Sequence, residues 1–154
     1  MTDHPAIALT GATGFVGQAT LEAALTAGYV VRALTRREQA PRTNVVWVRG
    51  DLENTAALSE LTRGVEAAIH VAGVVNAPDP AGFEAGNVTG TLNMVETLVA
   101  KGIRRFVHVS SLSAREPSIS AYGASKARAE KLLMASPLDW TIVRPPAIYG
   151  PRDR

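Results

Sequence analysis

At 154 residues the chain has the length of one domain, enough to bury about two-thirds of its unfolded surface without a metal or disulfide staple. Hydrophobic residues make up 46% and charged residues 19%, and no apolar stretch reaches the roughly 18 residues a bilayer demands, which excludes a disordered chain and a membrane helix. The 16 Lys and Arg against 14 Asp and Glu leave a formal net charge of +2, too little for a nucleic-acid surface.

In chain order, the first apolar run, Ala6 to Leu9, has strand character, and a helix follows a glycine-rich stretch to about Ala27. Strand-like runs come next at Tyr29 to Leu34 and Val45 to Val48, then a helix near Thr55 to Thr62 and a run from Ala67 to Val71. Ala77-Pro78-Asp79-Pro80 reads as a surface loop. A helix is expected from about Asn87 to Ala100, a strand over Phe106 to Val109, a helix from about Ala121 to Ala135, and a last strand over Thr141 to Val143. Gly28, Gly64 and Gly102 stand where three of the helices should stop, as C-terminal caps. Apolar runs separated by helix-length connections predict a doubly wound α/β domain, a parallel sheet with helices on both faces.

The sequence has no cysteine, which excludes disulfides and a thiol nucleophile. Met1 to Ala6 lack the charged and apolar blocks of a secretory leader, so the expected setting is the cytoplasm, without a membrane or nucleic-acid partner. His4, His70 and His108 have no metal-like spacing, and no metal site is expected. Trp47 and Trp140 read as packing residues.

The first strand runs into Thr10-Gly11-Ala12-Thr13-Gly14-Phe15-Val16-Gly17, with glycines spaced three and three ahead of a helix. A pyrophosphate needs close approach to backbone N–H groups at a helix N-terminus, and glycines remove the side chains that would block the turn, the approach and the helix–strand packing. This predicts a dinucleotide site. An NAD site usually places an acid about 20 residues further on, at the end of the second strand, to bind the ribose 2′-hydroxyl. Here Leu34-Thr35-Arg36-Arg37 stands instead, within a local excess of Arg32, Arg36, Arg37, Arg42 and Arg49 against Glu38 alone. A guanidinium binds a 2′-phosphate through paired charge-assisted bonds. The expected cofactor is therefore NADP rather than NAD, with Arg36 as its main contact and Arg37 as a secondary one.

Tyr122 and Lys126 lie four residues apart at the start of a helix and hence on one face. A phenol with its reference pKa of about 10 is a poor base at neutral pH, but a neighbouring ammonium favours the phenolate and lets it exchange a proton with a substrate oxygen. Ser111, eleven residues before Tyr122, ends a buried-type strand at the sheet edge where open α/β folds hold ligands. There it can hold the reacting oxygen. Ser110 and Ser113 read as turn caps.

Taken with Gly50-Asp51-Leu52, His70-Val71-Ala72-Gly73, Asn87-Val88-Thr89-Gly90-Thr91 and Arg144-Pro145-Pro146-Ala147-Ile148-Tyr149-Gly150-Pro151, these motifs resemble the extended short-chain dehydrogenase/reductase family, the NAD(P)-dependent epimerase/dehydratase type, over nearly the whole chain. The resemblance implies a Rossmann fold in which Ser111, Tyr122 and Lys126 form the catalytic triad and Lys126 also binds the nicotinamide ribose. It implies that Asp51 and Leu52 border the adenine, Ala72 and Gly73 line the sugar-phosphate path, and Pro145 to Ile148 approach the nicotinamide. Asn87 fits either the active-site hydrogen-bond network or a helix cap.

The implied activity is an NADP(H)-dependent oxidoreductase acting on a carbinol or carbonyl group of a small-molecule substrate. The alternatives are a sugar-nucleotide epimerase or dehydratase with a tightly held cofactor, and a non-catalytic NADP-binding regulatory or assembly module, against which the triad speaks. A homodimer is expected from the resemblance alone. The sequence stops at Arg154, just after the motif that in this family leads into a substrate-binding part. One cofactor-binding and catalytic domain over residues 1–154 is therefore expected, with the C-terminal substrate part missing.

Overall fold

The computed structural model describes residues 3–153. Six strands form one all-parallel sheet: β1 (Ala6–Thr10), β2 (Val30–Thr35), β3 (Val45–Arg49), β4 (Ala67–His70), β5 (Arg105–Val109) and β6 (Asp139–Val143). Their order is β3-β2-β1-β4-β5-β6. The direction of winding reverses between β1 and β4, and the crevice beyond their carboxyl ends is where such sheets bind ligands. The helices are α1 (Phe15–Thr26), α2 (Thr55–Leu61), α3 (Pro80–Phe83), α4 (Gly90–Lys101) and α5 (Ala121–Met134).

Parallel register sorts the side chains onto two faces. Ala8, Ala68 and Phe106 pack with Leu58 and Leu61 of α2, Met94 and Leu98 of α4 and Leu133 of α5. On the other face Ile7, Leu9, Val31 and Ala33 pack under Leu21 and Ala24 of α1. The first cluster is the larger, and each fully buried side chain such as Phe106 or Leu58 contributes about 1.5–3 kcal/mol. The α1 face thins toward β6, where Thr141 and Val143 are exposed.

The strands and most helices stand where the apolar runs put them. Gly102 ends α4 at φ +70°, and the bonds from its own N–H to Val99 and from Ile103 N–H to the Leu98 carbonyl close the helix as a left-handed cap does. One expectation is corrected. The helix predicted from Asn87 begins at Pro80, capped by Asp79, whose carboxylate accepts from Gly82 N at 3.0 Å, and it passes through a π-helical stretch over Glu84–Thr89 before α4. Asn87 lies inside that stretch and is no cap. The widened turn of a π-helix releases a side chain from the usual helical spacing, a common device at functional sites.

Candidate functional site

The loop between β1 and α1 is shaped by backbone crowding. Gly11 turns at φ +75°, and a Cβ there would lie 2.7 Å from the Ala72 nitrogen; a Cβ on Gly17 would lie 1.6 Å from the Gly11 carbonyl oxygen. Both glycines are demanded by the fold itself. Gly14 is different, since a Cβ there would meet only the Gly11 oxygen at 3.4 Å. The fold leaves room above Gly14, which suits a ligand approaching the backbone. Gly14 caps α1 without a side-chain bond, so the first-turn N–H groups take no acceptor from the cap and remain available to an anion.

A cavity of about 700 Å³ opens over this loop. Gly11, Thr13, Gly14, Phe15, Val16 and Gly17 form one wall, and Ala72 and Gly73 form its floor. Ser111, Tyr122, Lys126, Pro145 and Ile148 close the far end. A second cavity of about 540 Å³ shares the loop and the Ala72-Gly73 floor and runs outward to Leu34, Arg36, Asp51 and Leu52. The folding chain thus brings the residues singled out for the site, Arg37 excepted, around these two adjoining cavities. Arg37 lies beside rather than in the second cavity, exposed in a turn where the Thr35 hydroxyl bonds its backbone.

The triad end is buried and well tied. Lys126 is 4% exposed and donates from Nζ to the Val109 carbonyl at 3.1 Å. Burial pulls its pKa down from 10.5 to about 8, against a smaller opposing effect of the Glu130 carboxylate. A Cβ on Gly73 would lie 3.6 Å from Lys126 Nζ, so the ammonium borders the cavity floor. Asn87 joins the network. Its Oδ1 accepts from Val74 N at 2.7 Å, and its Nδ2 donates to the Val74 carbonyl at 2.9 Å and to Ser125 Oγ at 3.0 Å. Ser125 donates in turn to the Tyr122 carbonyl at 2.7 Å. The sequence pattern did not single out Ser125, although it lies between the two triad members of α5.

Ser111 serves two purposes. Its Oγ accepts from Ser113 N at 3.1 Å, capping a 3₁₀ turn over Leu112–Arg115, and its own hydroxyl hydrogen is left to donate into the cavity. The cap expected of Ser110 and Ser113 thus falls to Ser111, whereas Ser110 is 4% exposed at the strand end. Below the triad, Glu130 is buried and accepts two bonds from the Arg144 guanidinium at 2.8 and 2.5 Å. Burial is the largest single influence and would raise the Glu130 pKa, but the bonds and charge of Arg144, with smaller contributions from Ser110 and His108, together keep the carboxyl below its usual value. This pair ties α5 to the end of β6, directly before Pro145.

Ion pairing distinguishes the arginines of the local excess, of which Arg36 lines the second cavity. Arg32 pairs with Glu60 at 3.0 Å and Arg42 with Glu22 at 2.8 Å. Among the described residues, neither Arg36 nor Arg37 has a carboxylate partner. Asp51 is exposed and accepts from Glu53 N and Asn54 N, which closes the turn into α2. Leu52 fits against Gly90, where a Cβ would come 2.7 Å from its Cδ1. The described residues contain no group of three or more His, Asp or Glu that could hold a metal, and no helix is long and apolar enough to cross a membrane.

Comparison with known proteins agrees with this geometry. The family model described as NAD(P)H-binding matches residues 11–153. A ceramide reductase of Caulobacter vibrioides is 44% identical over 151 residues, 96% of this chain and 47% of that protein. A short-chain dehydrogenase/reductase superfamily protein from Agrobacterium tumefaciens, solved with bound NAD, superposes with a TM-score of 0.79 at 31% identity, over 90% of this chain and 48% of that one. UDP-glucuronic acid 4-epimerase from Bacillus cereus in complex with NAD shares the fold, with a TM-score of 0.84 at 23% identity over 97% of this chain and 59% of that one. The chain belongs to the NAD(P)H-binding extended short-chain dehydrogenase/reductase family, and its cofactor is a nicotinamide dinucleotide. It spans about half the length of the curated relatives it matches.

Proposed function

We propose that this chain is the cofactor-binding and proton-transferring portion of an NADP(H)-dependent oxidoreductase that interconverts a carbonyl and a carbinol. The observation that carries this reading is the placement of Ser111, Tyr122 and Lys126 around one cavity with the glycine loop, with the ammonium buried behind them. Gly11, Gly14 and Gly17 with the start of α1 would hold the pyrophosphate, and Ala72 and Gly73 the sugar-phosphate path. Arg36, without an acidic partner, would take the 2′-phosphate that distinguishes NADP. Bound nicotinamide supplies the hydride.

The chain's own residues supply the rest. Ser111 donates a hydrogen bond to the substrate oxygen and fixes it beside Tyr122. The Tyr122 hydroxyl delivers a proton to that oxygen as the carbonyl becomes a carbinol, and the positive Lys126 stabilises the phenolate left behind. Asn87, through Ser125, holds the backbone of Tyr122 in place. The protein works as a soluble enzyme on a small-molecule substrate in the cytoplasm, and as a homodimer, in this reading.

A hollow of about 290 Å³ adjoins the first cavity at Ser111 and shares Ser111, Pro145 and Pro146 with it. Leu112, Ile119 and Ala147 join the two prolines in its apolar lining, with Ser113 and Ser120 beside them and Glu116 as its one charge. This suits an apolar, uncharged arm better than an anionic nucleotide-sugar. Together with the ceramide reductase relative, it makes a ketone-bearing ceramide-type lipid the first substrate to test.

The test is net NADPH oxidation by this chain, and by a chain extended to the length of its relatives, with such a lipid. The expected result is one NADPH consumed per carbonyl reduced. Conversion of a substrate with no net NADPH consumption would instead identify an epimerase. Tight NADP binding with no turnover by the extended chain would identify a binding module.

A further inference from the structure

We infer that His70 is a positioning residue for the cofactor cavity: as a neutral imidazole protonated at Nε2, it locks the strand end beneath the glycine loop to the Ala72-Gly73 floor and to the Asn87 segment. This inference rests on the nicotinamide site and not on the carbonyl chemistry proposed for it. His70 ends β4, completely buried.

The direction of each bond follows from the one before it. Thr10 Oγ1 accepts from the N–H groups of Val71 and Ala72, both at 3.1 Å. Two accepted bonds use both lone pairs of a hydroxyl. Its hydrogen is therefore the one in the 2.7 Å contact with His70 Nδ1, which must be the acceptor. The ring proton sits on Nε2 and is donated to Thr91 Oγ1 at 3.2 Å. Thr91 donates onward to the Asn87 carbonyl at 2.7 Å. A ring protonated at both nitrogens would set a donor against the Thr10 hydroxyl, and burial beside His108 and Lys126 likewise keeps His70 uncharged near neutral pH.

The chain of bonds matters because what it joins has no slack. A Cβ on Gly11 would sit 2.7 Å from the Ala72 nitrogen, and one on Gly73 2.9 Å from Asn87 Oδ1. Displacing either end of the chain displaces the cavity floor. His108 supplies an internal contrast. It is as deeply buried and stacks on His70 with ring centroids 5.5 Å apart and 18° between planes, yet neither of its nitrogens has a hydrogen-bond partner. A packing role for His70 implies equal consequences of losing either ring, and a positioning role implies unequal ones.

The experiment measures the NADPH dissociation constant of this chain by calorimetry, with far-ultraviolet circular dichroism as the check on folding. His70→Leu should weaken binding about tenfold or more, and His108→Leu should leave it within about twofold. Equal losses in the two variants, or a folded His70→Leu that binds like wild type, would overturn the inference. Should His70→Leu not fold, Thr91→Val cuts the same chain at its next link, and it should weaken binding about threefold; unchanged affinity there would overturn it. Two-bond proton–nitrogen NMR correlations at neutral pH should show the His70 proton on Nε2, and a proton on Nδ1 would contradict the assignment. The readout is affinity, so a chain that binds NADPH and reduces nothing contradicts the proposed reaction while leaving this test intact.

Discussion

At the triad end of the cavity Lys126, Asn87 and Ser125 are buried and hydrogen-bonded to their neighbours, whereas at the adenosine end Arg36, Arg37 and Asp51 stand in solvent. Burying polar groups is tolerated only when each finds partners. The partners here are backbone groups of β5, of the Val74 segment and of α5 itself. Their geometry is set when the sheet and α5 form, before any ligand arrives. The adenosine end relies on flexible side chains whose exchange costs the fold little. In the proposed reading, chemistry is thus fixed by the core and cofactor preference by the surface, so that one fold could serve different dinucleotides.

If this division is right, the largest effect belongs to Tyr122→Phe, which should lower the turnover number about 10²- to 10⁴-fold while NADPH affinity stays near wild type. Equal losses in both would erase the distinction between chemistry and binding. Turnover should next fall as pH rises through about 8, because the buried Lys126 ammonium loses its proton there rather than near 10.5. The stability consequence has the opposite sense. Lys126 has a lower pKa folded than unfolded, so the unfolded chain holds more protons between about 8 and 10.5, and folding stability gains from this group as pH climbs through that window. Lys126→Met should accordingly abolish the pH step in turnover and raise the melting temperature at neutral pH by a few degrees.

At the other end of the cavity, Arg36→Ala should reduce the preference for NADP over NAD about tenfold or more, the loss of a charge-assisted contact. It should leave melting unchanged. Arg42→Ala is the smallest change and sharpens the comparison. Although part of the same basic stretch, Arg42 is engaged with Glu22, so the NADP to NAD ratio should not move, as measured by paired titrations of the two cofactors.

Much of this was legible before folding. Apolar runs and glycine stops located the six strands, and the glycine spacing, the Tyr122 to Lys126 interval and the hydroxyls after Val109 marked the places where cavity walls later meet. Arg36 stood out in sequence by its place after the second strand, but the engagement of Arg42 was hidden, because only the approach of α1 to the loop before β3 brings Glu22 to it. The place of Asn87 was likewise hidden. Helical periodicity cannot anticipate a π-helical stretch, and its partners Val74 and Ser125 are 13 and 38 residues away. His70 showed as the opening residue of the His70-Val71-Ala72-Gly73 motif at a strand end, but its bonding was hidden, since that depends on the directions of bonds reaching Thr10 and Thr91.

The most direct measurement of the central claim is transfer of label from NADPH deuterated at the nicotinamide C4, in a single turnover with a ketone-bearing lipid, by wild type and by Tyr122→Phe. The expected result is deuterium on the product carbinol carbon with wild type, and almost none over the same time with Tyr122→Phe at equal cofactor occupancy. Label transfer by Tyr122→Phe at the wild-type rate, or a reduced product from wild type that carries no deuterium, would contradict the account.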